Sequence, residues 1–136
     1  MMLKKLEIAR ITMELVSDYF GLHGTRVKVV PTREVGDQAN AYLKVVSDWE
    51  YEIEVHPDFM KDSTEEELVK VIAHEMTHVK QYEYDDLELG VKCQYWKGEI
   101  YDEEVEGYWF MPWEIEARGY EQAFWSLYAD KWEQYV

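Results

Sequence analysis

The chain of 136 residues has a single cysteine and no long hydrophobic run. Cys93 has no internal partner, so a secreted fold held together by disulfides is excluded. A membrane-spanning helix needs 18 or more consecutive apolar residues, and the sequence contains no such stretch. Glu7, Arg10 and Glu14 interrupt the region where the apolar part of a signal peptide would lie. We therefore expect a soluble, cytoplasmic protein, in the host cytoplasm if the chain is viral.

Basic residues are scarce as well. There are 14 Lys and Arg against 29 Asp and Glu, which gives a formal net charge of −15. Such a surface repels phosphate backbones and anionic lipids, so we expect neither a nucleic-acid nor a membrane partner. A basic peptide or protein would be attracted at long range. The 47% share of hydrophobic residues is ordinary for a globular protein, and the length predicts a single domain over residues 1–136.

Hydrophobic periodicity predicts an α+β fold with a small, mostly antiparallel sheet of three strands. A helical stripe runs from about Leu3 to Phe20. A second helix is predicted to start after a capping box, formed by Ser63 with Glu66 or by Thr64 with Glu67, and to end near Tyr84. A last helix opens at Pro112. The predicted strands are Arg26–Pro31, Ala41–Val46 and Trp49–Val55.

The second and third strands are predicted to form a hairpin around Ser47 and Asp48. We predict a register that pairs Val45 with Trp49, Leu43 with Tyr51 and Ala41 with Ile53. This register keeps Lys44 on the polar face, whereas a tighter two-residue turn would move Lys44 among the apolar side chains. Residues 85–111 show no clear periodicity, and a loop of that length in a small domain is usually functional or partly helical.

The second long helix carries the motif His74-Glu75-Met76-Thr77-His78, an HExxH. His74 and His78 are one turn apart, so they project from the same face of the helix and can bind one Zn²⁺. Glu75 stands beside the first ligand, where it can take a proton from a metal-bound water. The motif therefore predicts one catalytic Zn²⁺ with Glu75 as the catalytic base of a hydrolase.

A catalytic zinc site needs a third protein ligand and an open fourth position. The metzincin pattern would require Gly at position 81 and His at position 84, but the chain has Gln81 and Tyr84 there. The last helix is the better source of the ligand. Glu114 and Glu116 both lie in it, and they are about 200° apart around the helix, so the two cannot both face the metal.

The segments HEMTHVKQY (74–82) and PWEIEA (112–117) together resemble the gluzincin group of zinc metallopeptidases. They look most like the short metallopeptidase-like proteins of phages and prokaryotes, which are similar in size to the single-domain minigluzincins. The resemblance implies a minimal zincin-like domain that hydrolyses peptide bonds. It also implies that Glu114 is the third zinc ligand, with His74 and His78, because Ala117 stands three residues after it.

One position departs from that family, which usually has Asp or Asn four residues after the ligand Glu. This chain has Arg118, which donates hydrogen bonds and cannot accept one from a ligand histidine. We expect Arg118 either to brace Glu114, with Glu121 one turn on, or to hold a substrate carboxylate or a developing oxyanion in the cleft.

The resembled enzymes commonly use Tyr or His to stabilise the transition state. Tyr95, Tyr101 and Tyr108 lie in the irregular segment and are unranked candidates for this role. Cys93 is a candidate latency ligand for the zinc, although an ordinary half-buried thiol is the favoured interpretation.

Three functional hypotheses follow. The first is a zinc-dependent peptidase that binds a peptide or protein substrate along a sheet edge. The second is a zinc-binding relative that is catalytically weak or inactive and acts as a binding module. The third is an acidic, metal-free interaction protein that mimics DNA through its charge of −15.

Overall fold

The computed structural model of the chain describes residues 2–90 and 93–136, and it confirms an α+β fold. None of the described helices is both long and apolar enough to cross a membrane. The helices are α1 (Met2–Phe20), α2 (Pro57–Asp62), α3 (Glu65–Tyr84), α4 (Glu103–Glu106) and α5 (Pro112–Lys131). The strands are β1 (Arg26–Pro31), β2 (Ala41–Ser47), β3 (Glu50–Val55), β4 (Glu88–Leu89), β5 (Gln94–Trp96) and β6 (Glu99–Tyr101). Single 3-10 turns occupy Gly36–Gln38, Tyr108–Phe110 and Trp132–Tyr135.

The first sheet has the order β1-β3-β2, with β3 in the centre. β3 runs parallel to β1 and antiparallel to β2, so the sheet is evenly mixed and not mostly antiparallel as predicted. The central position suits β3 because Tyr51, Ile53 and Val55 are all buried on one face. Residues 32–40 carry the chain past the place that β3 later fills, which sets β1 beside β3 and apart from β2.

The predicted hairpin register is wrong by two residues. Val45 pairs with Tyr51, Leu43 with Ile53 and Ala41 with Val55, and Ser47 lies opposite Glu50 across a tight turn. The ladder is shifted between Val45 and Ser47 by a bulge. Because a bulge inserts one residue, it reverses the alternation of side chains, and Lys44 stays opposite Glu52 on the polar face despite the short turn.

Helix α3 is the centre of the domain and carries the HExxH motif. Of the two predicted capping boxes, the one at Thr64 forms: the Thr64 hydroxyl accepts from the Glu67 amide at 3.1 Å, and the Glu67 carboxylate accepts from the Thr64 amide at 2.8 Å. The sheet covers one side of α3 while α1 and α5 cover others, so the helix is buried on more than one face. Its fully buried apolar residues are Leu68, Val69, Ile72, Ala73, Met76 and Val79.

In the stretch 85–111, the described residues (85–90 and 93–111) form more regular structure than their sequence indicates. They contain β4, β5 and β6, which form a second, antiparallel sheet, and the short helix α4. A small hydrophobic cluster of Leu87, Met111 and Trp113 holds this segment in place. The Trp113 ring packs edge-on against Tyr101, with ring centroids 5.6 Å apart. Since Trp113 lies in the first turn of α5, the cluster fixes where that helix starts relative to α3.

Candidate metal centre

Helices α3 and α5 bring His74, His78 and Glu114 together. The His74 Nε2 atom lies 3.1 Å from Glu114 Oε1, and His78 Nε2 lies 3.3 Å from Glu114 Oε2. One ligand atom from each of the three residues lies within 4.8 Å of the other two. Glu114, the predicted third ligand, therefore lies beside both histidines, although it is 36 residues after His78 in the sequence.

These separations fit a zinc ion. Tetrahedral zinc with bonds of about 2.0–2.1 Å requires ligand atoms roughly 3.3 Å apart, which is close to both imidazole–carboxylate distances. Two imidazoles and one carboxylate are also a ligand set that catalytic zinc sites use. The donor atoms of His74, His78 and Glu114 would therefore suit a Zn²⁺ ion.

The alternative ligand, Glu116, points elsewhere. Its carboxylate accepts hydrogen bonds from Lys80 Nζ at 2.9 Å and from Gln81 Nε2 at 3.0 Å. Glu114, by contrast, is only 5% exposed and contacts both histidines. The offset of two residues around α5 thus separates a carboxylate that faces the candidate metal centre from one that joins α5 to α3.

Both histidines have a hydrogen-bond partner on the ring nitrogen that faces away from Glu114. His74 Nδ1 is 2.7 Å from Glu121 Oε2, and His78 Nδ1 is 2.7 Å from Gln81 Oε1. The buried Gln81 amide is itself fixed, because its Nε2 donates to the Trp113 carbonyl at 2.8 Å. With Nδ1–H donated to these acceptors, the Nε2 lone pair of each ring is left for a metal.

Sequence reasoning did not assign these two supporting roles. The sequence marked Gln81 only as a mismatch to the metzincin pattern, and it marked Glu121 only as a neighbour of Arg118. Helical spacing contained the signal for both. Gln81 is three residues after His78 on α3, and Glu121 is two turns after Glu114 on the same face of α5.

Arg118 takes neither of the two roles predicted for it. Its guanidinium stacks on the Trp109 ring, 3.7 Å from the centroid, and donates a hydrogen bond to the Trp109 carbonyl oxygen. Arginine stacks readily on aromatic faces because its charge is delocalised and weakly hydrated. Arg118 therefore ties the 3-10 turn at residues 108–110 to α5, close to the candidate metal centre.

A cleft of about 440 Å³ opens beside His78 and Glu114. Glu75 lines it from α3, and burial raises the pKa of this carboxyl group above its ordinary value. A carboxylate with a raised pKa is better matched to taking and returning a proton near neutral pH. The other walls come from β2, the end of α3, the segment after it and the first turn of α5, and include Ala41, Tyr42, Leu43, Tyr82, Leu87, Leu89 and Trp113.

The structure separates the three candidate tyrosines. Tyr108 lines the cleft, and burial together with the charge and a hydrogen bond of Glu114 raises the pKa of its phenol. Tyr101 packs against Trp113, and Tyr95 lies with its hydroxyl 3.6 Å from Cys93 Sγ. Cys93 therefore contacts a tyrosine and is not part of the His74, His78 and Glu114 group. Tyr42 and Tyr82, which the sequence did not single out for the site, also line the cleft.

Two further carboxylates line the cleft. Asp37 comes from the 3-10 turn before β2, and Glu103 comes from the start of α4. Burial raises the pKa of Glu103, and the negative charges of Glu114 and Asp37 raise it further. The cleft therefore carries acidic groups on more than one wall, in keeping with the overall charge of the chain.

The electrostatics of the three candidate ligands would couple their protonation to metal binding. Burial lowers the pKa of His78, but the hydrogen bond to Glu114 and the charge of Glu75 outweigh burial and raise that pKa to about 9. In turn, burial raises the pKa of Glu114, but hydrogen bonds from His74 and His78 bring it well below its usual range. Without a metal, His78 therefore holds a proton at neutral pH, and a bound cation must displace that proton.

Comparisons of the chain with protein-family models, with curated proteins and with solved structures give no match. The resemblance to gluzincins therefore stays a prediction from the two motifs.

Substitutions should separate the ligands from their neighbours. We expect His78→Ala and Glu114→Ala each to abolish high-affinity zinc binding, because each removes one of three donors. Glu116→Ala is the matched control and should bind zinc far more tightly than Glu114→Ala, since its carboxylate contacts Lys80 and Gln81. Titration against a chromophoric chelator measures the affinities. Unchanged zinc affinity in His78→Ala, or a larger loss in Glu116→Ala than in Glu114→Ala, would refute the ligand set.

The metal-free and zinc-loaded proteins should respond to pH in opposite directions. The pKa of His78 is raised from an ordinary 6.5 to about 9, so its stabilising contribution is complete below pH 6.5 and is lost as pH rises through 9. In EDTA we expect the free energy of unfolding to fall over this range by up to about 3 kcal/mol. With excess zinc it should rise, because deprotonated histidine binds the metal. Urea unfolding at pH 6, 7.5 and 9 tests this, and a flat profile in EDTA would contradict it.

Proposed function

We propose that the protein is a zinc-dependent peptidase of the gluzincin type, acting in the cytoplasm. The observation that carries this proposal is the bridging position of Glu114 between His74 and His78, beside a cleft that Glu75 also lines. The three candidate ligands would account for metal binding, and a second carboxylate, that of Glu75, would supply a base at the cleft. Together they match the requirements of metal-assisted hydrolysis.

His74, His78 and Glu114 would hold the zinc ion, which supplies Lewis acidity to a substrate carbonyl and to a water molecule. Glu75 takes a proton from the attacking water as the new C–O bond forms. The same carboxyl group then gives the proton to the amide nitrogen as the C–N bond breaks, so the products are a carboxylic acid and an amine. Its raised pKa suits both transfers.

Tyr108 is the residue we assign to the developing oxyanion. Its hydroxyl lies at the cleft beside Glu114, although the residue as a whole is 53% exposed. The raised pKa keeps the phenol protonated, so it remains a hydrogen-bond donor across the working pH range. Trp109 follows Tyr108 in the same 3-10 turn, and the stacking of Arg118 on Trp109 holds this turn against α5.

A peptide in extended conformation fits the position of the cleft. β2 forms one edge of the first sheet, and Ala41, Tyr42 and Leu43 of this strand line the cleft. An edge strand offers backbone groups to which an extended peptide can add as a further strand. Asp37 and Glu103 would favour a peptide with a basic side chain near the cleaved bond.

Glu75→Gln tests catalysis separately from metal binding. We expect this variant to keep zinc and to lose peptide hydrolysis by at least about 100-fold, because the amide cannot accept the proton. The assay is a broad peptide library with purified zinc-loaded protein, read by mass spectrometry, and cleavage should favour peptides containing Lys or Arg. Glu104→Gln, an exposed carboxylate on α4, is the matched control and should cleave like the wild type.

Two results would count against the proposal. Hydrolysis that survives unchanged in Glu75→Gln would exclude Glu75 as the base. A wild-type protein that binds zinc but cleaves no peptide would favour the zinc-binding module over the peptidase.

Tyr108→Phe tests the oxyanion donor. We expect kcat to fall by roughly 100-fold with little change in KM, because the lost hydrogen bond forms in the transition state. Tyr95→Phe is the matched control, since Tyr95 contacts Cys93 and does not line the cleft. Steady-state kinetics on a peptide found in the library screen provide the measurement. Full kcat in Tyr108→Phe would show that another group stabilises the oxyanion.

A further inference from the structure

The hydrogen-bond partner of His74 Nδ1 is a residue of α5 that the family resemblance does not indicate. In the resembled family, the residue four positions after the ligand glutamate is usually Asp or Asn, and here it is Arg118. Arg118 is engaged with Trp109 through stacking and a hydrogen bond. Glu121 instead contacts His74, with its Oε2 atom 2.7 Å from His74 Nδ1.

Helix geometry explains why Glu121 can reach. Residue 121 follows Glu114 by seven positions, which is close to two full turns, so both side chains leave α5 on nearly the same face. Glu114 meets His74 on Nε2 at 3.1 Å, and Glu121 meets the same ring on Nδ1. Two glutamates of α5 that are two turns apart therefore contact the two nitrogen atoms of the His74 ring.

We propose that Glu121 is the positioning residue for His74, and that it fixes the ring in the tautomer with a proton on Nδ1 and a free lone pair on Nε2. This inference rests on the zinc site of the proposed function. A carboxylate behind a ligand histidine orients the ring and raises its basicity as a ligand. The two histidines are supported differently, since His78 has the neutral amide of Gln81 behind it.

Arg118 and Glu121 are neighbours along α5 with different functions: Arg118 contacts Trp109, and Glu121 contacts His74. Arg118, which stands where the resembled family has its Asp or Asn, binds the turn that carries Tyr108. Glu121, about one turn later, supports His74. Glu121 is only partly exposed, at 32% of its side chain, so its carboxylate keeps much of its strength as an acceptor.

The test is zinc affinity in variants of position 121, measured by chelator competition at one pH. We expect Glu121→Ala to bind zinc roughly 10- to 100-fold more weakly than the wild type, the usual loss for such a supporting residue. Glu121→Gln should recover most of the affinity, because its amide oxygen still accepts from Nδ1–H. Gln122→Ala, an exposed neighbour on the same helix, is the control and should leave the affinity unchanged.

A spectroscopic readout separates positioning from general stability. In a ¹H–¹⁵N spectrum of the zinc-loaded wild type, the His74 ring should show a protected Nδ1–H signal. That signal should persist in Glu121→Gln and disappear by exchange with water in Glu121→Ala. If Glu121→Ala does not fold, the Glu121→Gln variant and the wild-type ring signal still decide the question.

The outcomes distinguish this inference from the proposed function. Wild-type affinity in Glu121→Ala, or a His74 ring protonated on Nε2 in the zinc-loaded protein, would overturn the role of Glu121. A wild type that binds zinc but cleaves no peptide would overturn the peptidase and leave the role of Glu121 supported by the affinity series. A wild type without zinc affinity would overturn both.

Discussion

The pairing of the Glu114 carboxylate with two imidazoles is the contact on which the geometry of the site depends. An ionised carboxylate that is 5% exposed is costly to bury unless each of its oxygen atoms has a partner. His74 takes one oxygen and His78 takes the other, at 3.1 and 3.3 Å. This requirement holds the start of α5 against the middle of α3, and the cleft lies where these two helices meet the edge of the first sheet.

The charges around this contact balance only when a cation is present. Glu75, Glu114 and Glu121 surround two histidines, and Asp37 and Glu103 add negative charge to the cleft. In the metal-free protein one such cation is the proton on His78, whose pKa is raised to about 9. A divalent ion would replace that proton and would supply the reactivity that the protein side chains lack. In the proposed function, the carboxylates around the histidines would favour a bound cation, and Asp37 and Glu103 would favour basic substrates.

The secondary structure between α3 and α5 could not be predicted from the sequence. Its strands are two or three residues long, too short for hydrophobic periodicity to reveal them. They are held by contacts with distant residues, such as Tyr101 on Trp113, that no local pattern records. The hairpin register was missed for a related reason. The bulge near Val46 changes which side chains share a face without any distinctive residue to mark it.

Properties that depend on neighbours within one helix could be read from the sequence alone. Spacing along the chain predicted that His74 and His78 share a face, that a capping box at Ser63 or Thr64 starts α3, and that Pro112 opens α5. Only the tertiary structure decided that Glu121 of α5 supports His74 of α3, that Tyr108 is the tyrosine at the cleft, and that Arg118 binds Trp109. The physical reason is that hydrogen bonds act over about 3 Å, so their partners are chosen by how helices and turns pack together and not by distance along the chain.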